Sequence, residues 1–107
     1  MAAVSFSPVP TGVRRVITHI NCVALVTSGE SVNLVEVSSA VHGFDTAVTE
    51  YLPTVGASVT AFNQVRTIYG DDPQLYIEAG DAPQISAFAS DQNPILDCRI
   101  AGYDVKL

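Results

Sequence analysis

The stretch Val16-Ile17-Thr18-His19-Ile20-Asn21-Cys22-Val23-Ala24-Leu25-Val26-Thr27 decides the fold. Seven of these twelve residues (Val16, Ile17, Thr18, Ile20, Val23, Val26 and Thr27) fork at Cβ, and such side chains pack well on a pleated surface. Ser28-Gly29-Glu30-Ser31 interrupts the run, and Val32-Asn33-Leu34-Val35-Glu36-Val37 resumes it. The spacing predicts a long strand or two short ones, a four-residue turn and a return strand, hence a hairpin within Arg14–Val37. Alternation places Val16, Thr18, Ile20, Cys22, Ala24 and Val26 on one face and Ile17, His19, Val23 and Leu25 on the other. Both faces are largely apolar, so this hairpin belongs at the centre of the domain.

Composition sets the outer bounds. A chain of 107 residues holds one domain with one core. A hydrophobic fraction of 48% with only 15% charged residues excludes a disordered chain. So sparse a set of charges also favours a surface that a partner covers. The net charge is −6, and Lys106 is the sole lysine beside Arg14, Arg15, Arg66 and Arg99. Phosphate backbones and anionic membranes are held by basic clusters, so nucleic acid and membrane partners are excluded. Met1–Pro8 carries no basic leader, and no run reaches the roughly 18 apolar residues of a spanning helix. The expected location is therefore a cytosol, or a particle assembled there.

Residues 1–12 hold Pro8 and Pro10 and read as an extended amino-terminal arm, leaving 13–107 as the β-domain. Such an arm is either loose or ordered against a neighbouring subunit through Val4, Phe6 and Val9. Ser38–Gly43 reads as a loop. Phe44, Ala47, Val48, Tyr51 and Leu52 fall at helical spacing, with Asp45 to cap and Pro53 to stop, which predicts one short helix over Thr46–Leu52. Ser58–Tyr69 fits either period and is read as a bent strand. Beyond it, Gly70-Asp71-Asp72-Pro73-Gln74-Leu75 recurs as Gly80-Asp81-Ala82-Pro83-Gln84-Ile85, with a looser copy at Ser90–Ile95. Turn formers at this spacing enclose strands at Leu75–Ala79, Ile85–Ala89 and Ile95–Ala101, a carboxy-terminal meander. Tyr103, Val105 and Leu107 alternate with Asp104 and Lys106 as a half-exposed strand. The fold class is mainly β: an antiparallel sandwich or barrel.

Constellations for chemistry are sparse. A meander would set Asp71 and Asp72 on one rim with Asp91, where calcium is the alternative to plain turn formation. His19 and His42 have no nucleophile elbow to serve, and phosphate-cradling glycine loops do not occur. Cys22 and Cys98 read as buried thiols acting as small hydrophobes, with a disulfide as the alternative. No catalytic, cofactor or metal residue is assigned. Arg14-Arg15 suits the acidic rim of a neighbouring subunit, so the interaction residues are Val4, Phe6, Val9, Arg14 and Arg15.

With its short proline-bearing arm (Pro8, Pro10), no leader, a single lysine and Ala/Val/Ser/Thr-rich strands, the chain resembles small β-rich proteins of tailed-phage and related virions in overall style. Capsid decoration (cement) and minor capsid proteins are the types in question. The resemblance implies a non-enzymatic structural protein that homo-oligomerises, contacts other protein subunits such as the major capsid protein, and braces the lattice. It implies a virion or a host cytoplasm as the location, and no cofactor motif stands beside it. The alternative is a soluble carbohydrate-binding-like β-module, and a small enzyme stands third.

Overall fold

The computed structural model describes residues 1–41 and 44–107, with the backbone alone for 40, 41 and 44–49. The strands are β1 (Ala2–Ser5), β2 (Val13–Thr27), β3 (Val32–Val41), β4 (Phe44–Tyr51), β5 (Val59–Ala61), β6 (Gln64–Asp71), β7 (Leu75–Ile77), β8 (Asp81–Ala89) and β9 (Ile95–Lys106). They form two antiparallel sheets, one ordered β1-β8-β3-β4 and the other β5-β6-β2-β7 with β9 on the second side of β2. The sheets pack face to face as an open sandwich, and no helix interrupts the described residues. None is therefore long and apolar enough to cross a membrane. The body is elongated, 48 × 25 × 18 Å, with a radius of gyration of 14.5 Å against about 13 Å for a compact chain of this length.

β2 is the organising strand, as its β-branched density demands. Its second half pairs with β6 from Ile20↔Asp71 to Thr27↔Gln64, its first half with β7 from Arg15↔Ile77 to Ile17↔Leu75, and its opposite side with β9 from Val13↔Lys106 to Leu25↔Ile95. The predicted hairpin is not formed. β3 pairs with β8 and β4 in the other sheet, so Ser28–Ser31 carries the chain across the sandwich instead of back along β2. A four-residue polar break serves either purpose, and all three partners of β2 come from distant sequence.

The register between β2 and β9 slips between Ile17 and His19, leaving Thr18 as an extra residue on β2. Alternation is therefore broken. Ile20, Cys22 and Ala24 face the core together with Ile17, whereas Val16 is buried outside the core cluster with Tyr76 and Tyr103 as its cross-strand partners. From the second sheet Val35, Val37, Ile85 and Ala87 complete the core.

Other expectations shift with the topology. Residues 44–51 form β4, registered from Val41↔Phe44 to Glu36↔Tyr51, and not a helix. The β-branched residues at 46, 48 and 49 fit a ladder whose partner, β3, the local pattern does not reveal. β3 runs on to Val41 where a loop is predicted, while His42 and Gly43 lie outside the described residues. The strands of the supposed meander exist, but β7 and β9 join β2 while β8 joins β1 and β3, so consecutive strands alternate between sheets. The amino-terminal arm is an edge strand: β1 pairs with β8, and the chain stays tied to it by Phe6 N–H on Pro83 O at 3.0 Å and Val9 N–H on Asp81 O at 2.9 Å.

Cys22 and Cys98 are direct cross-strand partners, with Cα atoms 4.1 Å apart, and they form a disulfide. The reading as two free thiols is overturned. Two cysteines in opposite register on neighbouring strands are held at bonding distance by the sheet itself.

Candidate interaction surface

The residues expected to grip a neighbour are occupied within the chain. Val9 is buried in the core, and Val4 and Phe6 pack half-buried against it. Arg14 lies 5.8 Å over the Tyr76 ring with its Nε 2.9 Å from Glu78. The Nε–H of Arg15 donates to Asp104 Oδ1 at 2.9 Å, which raises the guanidinium pKa and lowers that of the Asp104 carboxyl. A cleft of about 400 Å³ opens beside this ion pair, floored by Ile17, Ile100 and Gly102. Its guanidinium is thus already neutralised by its own chain.

The turn aspartates do not converge. Asp91 caps its own turn, accepting from Thr27 N–H at 2.8 Å and Asn93 N–H at 2.9 Å, which lowers its pKa. Asp71 lies opposite Ile20, seven residues along β2 from Thr27, so a strand rise of about 3.3 Å per residue separates the two sites by roughly 23 Å. Among the described residues no group of His, Cys, Asp and Glu is arranged to hold a metal ion.

Asp71 and Asp72 instead belong to a surface cluster that links β6 to β4 of the other sheet. His19 Nδ1 lies 2.6 Å from Asp72 Oδ1, and Asp72 N–H donates to Asp71 Oδ1 at 2.9 Å. Glu50, on β4, shares a hydrogen bond with Asp71 on β6. Desolvation, then that hydrogen bond, raise its pKa to about 7, while that of Asp71 is lowered by the same bond. Between about pH 4.5 and 7 the pair therefore keeps a proton that the unfolded chain has released. Because the folded pKa of Glu50 exceeds the unfolded one, its contribution to stability is fully present below about 4.5 and is lost as pH rises through about 7. Glu50→Gln is expected to flatten this part of the pH dependence, as read from urea midpoints at pH 5 and 7.5. An unchanged slope would refute the pairing.

Exposed apolar side chains gather on the β2-containing sheet. Val59 (59%), Phe62 (98%), Tyr76 (54%), Ile95 (54%), Tyr103 (55%) and Leu107 (68%) stand in solvent. Phe62 and Asn63 form the two-residue turn between β5 and β6, with φ of 51° and 60°. Positive φ at both central positions is the geometry of a type I′ hairpin turn, which favours Asn and Gly and disfavours a bulky ring. The segment read as one bent strand is thus a hairpin finger, and its tip sets an aromatic side chain in a left-handed conformation. Asn63 was the visible signal for this turn. Phe62→Gly is expected to raise unfolding stability by about 0.5–1 kcal/mol in denaturant melts, since the ring is almost wholly exposed and the strain is relieved.

No family model, curated protein or solved structure matches the chain.

Among the described residues β9 pairs with β2 alone and is the long exposed edge of its sheet. The opposite edge ends in β5, three residues long, and the edge strand β1 has four residues followed by Pro8 and Pro10. Short strands and prolines are the usual protections against edge-to-edge pairing. β9 has twelve residues and contains no proline.

Proposed function

We propose that the chain is a non-enzymatic structural protein of a larger assembly, a virion, in which it braces neighbouring subunits as a capsid decoration (cement) or minor capsid protein does. The observation that carries this reading is Phe62, 98% exposed at the tip of a finger and held at positive φ. Backbone strain of this type is retained where the side chain has a task outside its own fold, and a solvent-facing phenylalanine is suited to an apolar pocket on a partner. The Cys22–Cys98 disulfide agrees with the setting, because disulfides persist at virion surfaces and are rare in the cytosol.

The test is light scattering and native mass spectrometry of the purified chain, run beside a glycan array. Self-association, weakened by Phe62→Gly without loss of fold, supports the assembly reading. A persistent monomer that binds glycans would overturn it in favour of the carbohydrate-binding alternative.

A further inference from the structure

We propose that β9 is a self-pairing edge: a second copy of the chain adds antiparallel to it about a two-fold axis at Ala101, fusing the two β2-containing sheets into one. This rests on the assembly reading and names its first contact.

The direction of the backbone groups comes from the disulfide pair. A Cα separation of 4.1 Å between Cys22 and Cys98 marks a non-hydrogen-bonded pair, in which both residues turn their N–H and C=O away from each other. Cys98 therefore points these groups away from β2, toward the outer side of the strand, and by the two-residue period so do Leu96, Ile100, Gly102, Asp104 and Lys106. The odd residues point the other way, as Leu107 shows by donating its N–H to Gly12 O at 2.8 Å beside the start of β2. The extra residue of the bulge lies on β2, so the phase of β9 is unbroken along its length.

This outward set is symmetric about residue 101. In an antiparallel pairing centred there, Leu96 meets Lys106 of the second copy, Cys98 meets Asp104 and Ile100 meets Gly102, so each outward donor and acceptor finds a partner. On the solvent face Ile95 meets Leu107 and Arg99 meets Tyr103, an apolar pair and a cation–π pair. No like charges stand opposite one another, since Asp97 meets Val105 and the acid of Asp104 faces Cys98. The strand itself carries Asp97 and Asp104 against Arg99 and Lys106, a local balance within a chain of net charge −6. The edge therefore adds no net side-chain charge to the repulsion between copies. Ile95, Tyr103, Val105 and Leu107, all more than 40% exposed, are the side chains that pairing would cover.

Two substitutions at exposed Ala101 test the geometry with little effect on the fold. Ala101↔Ala101 is a non-hydrogen-bonded pair in this register, close enough for a disulfide. Ala101→Cys is expected to form a covalent dimer on non-reducing gels faster than the exposed control Asn33→Cys. Ala101→Lys sets two ammonium groups face to face and is expected to weaken self-association at least tenfold by analytical ultracentrifugation, with an unchanged thermal melt. An oligomer that Ala101→Lys leaves intact, or Ala101→Cys linking no faster than the control, overturns the β9 pairing while the assembly reading stands. A wild-type chain monomeric at all concentrations overturns the pairing too, and the assembly reading falls with it only if glycans bind.

Discussion

Cys22→Ala combined with Cys98→Ala is expected to lower the unfolding free energy by about 2–4 kcal/mol, with the midpoint of thermal unfolding down by roughly 10 °C or more. The bridge joins residues 76 apart in sequence. On the chain-entropy model a loop of that length removes about 4.5 kcal/mol worth of freedom from the unfolded state, and measured bridges usually give somewhat less. The location adds a second term. Cys22 and Cys98 are both buried in the core cluster, so the shortened side chains also leave unfilled space. Guanidinium melts with and without reductant check the result: reductant should shift the wild type toward the variant and leave the variant where it is. Free thiols in the native wild type, detected as alkylated mass, would refute the bridge.

What was legible in the sequence is what depends on local composition. The density of β-branched residues in Val16–Thr27 suffices for a long strand, and two largely apolar faces suffice to place it centrally with neighbours on both sides. Partner choice was not legible, because it is decided by residues far away. Ser28–Ser31 is as good a crossing between sheets as a hairpin turn, and Phe44–Leu52 satisfies a helical period until β3 lies beside it. The bulge at Thr18 changes which of Val16 and Ile17 faces the core, yet the sequence there shows only one more β-branched residue. The two cysteines are a similar case, since their bonding follows from register.

The site residues divide in the same way. Val4, Phe6 and Val9 are rightly apolar, but their own core takes them, because β8 provides the edge on which the arm lies. Arg14 finds Glu78, one residue past β7, and Arg15 finds Asp104 on β9, both within the chain. Phe62 and the β9 edge were missed for opposite reasons. Phe62 looks like any strand aromatic until the turn around it is known, and an edge is a property of the sheet and not of any residue in it. Glu50 is invisible without Asp71, which reaches it from the other sheet.

Gly102→Ala is expected to destabilise the chain by about 2–3 kcal/mol, with damage confined first to the end of the sheet. A Cβ at this position would lie 1.9 Å from the carbonyl oxygen of Val16 and 3.0 Å from Cα of Ile17. Both are backbone atoms, so no rotamer change can relieve the clash and the strands must move apart. The crowding has a definite origin: the bulge brings β2 against β9 just where Ile17 pairs with Gly102. Beyond that point residues 101–107 are exposed on both faces, so the pairing of Val13–Ile17 holds this end of β9 with little help from a core. The amides of Arg14 and Val16 point at β9 by the same two-residue period, and their hydrogen exchange should accelerate most in the variant. The amides of Cys22 and Ala24, directed at β6, should keep their protection. Uniform acceleration over both halves of β2 would show instead that the two ends of the strand unfold as one unit.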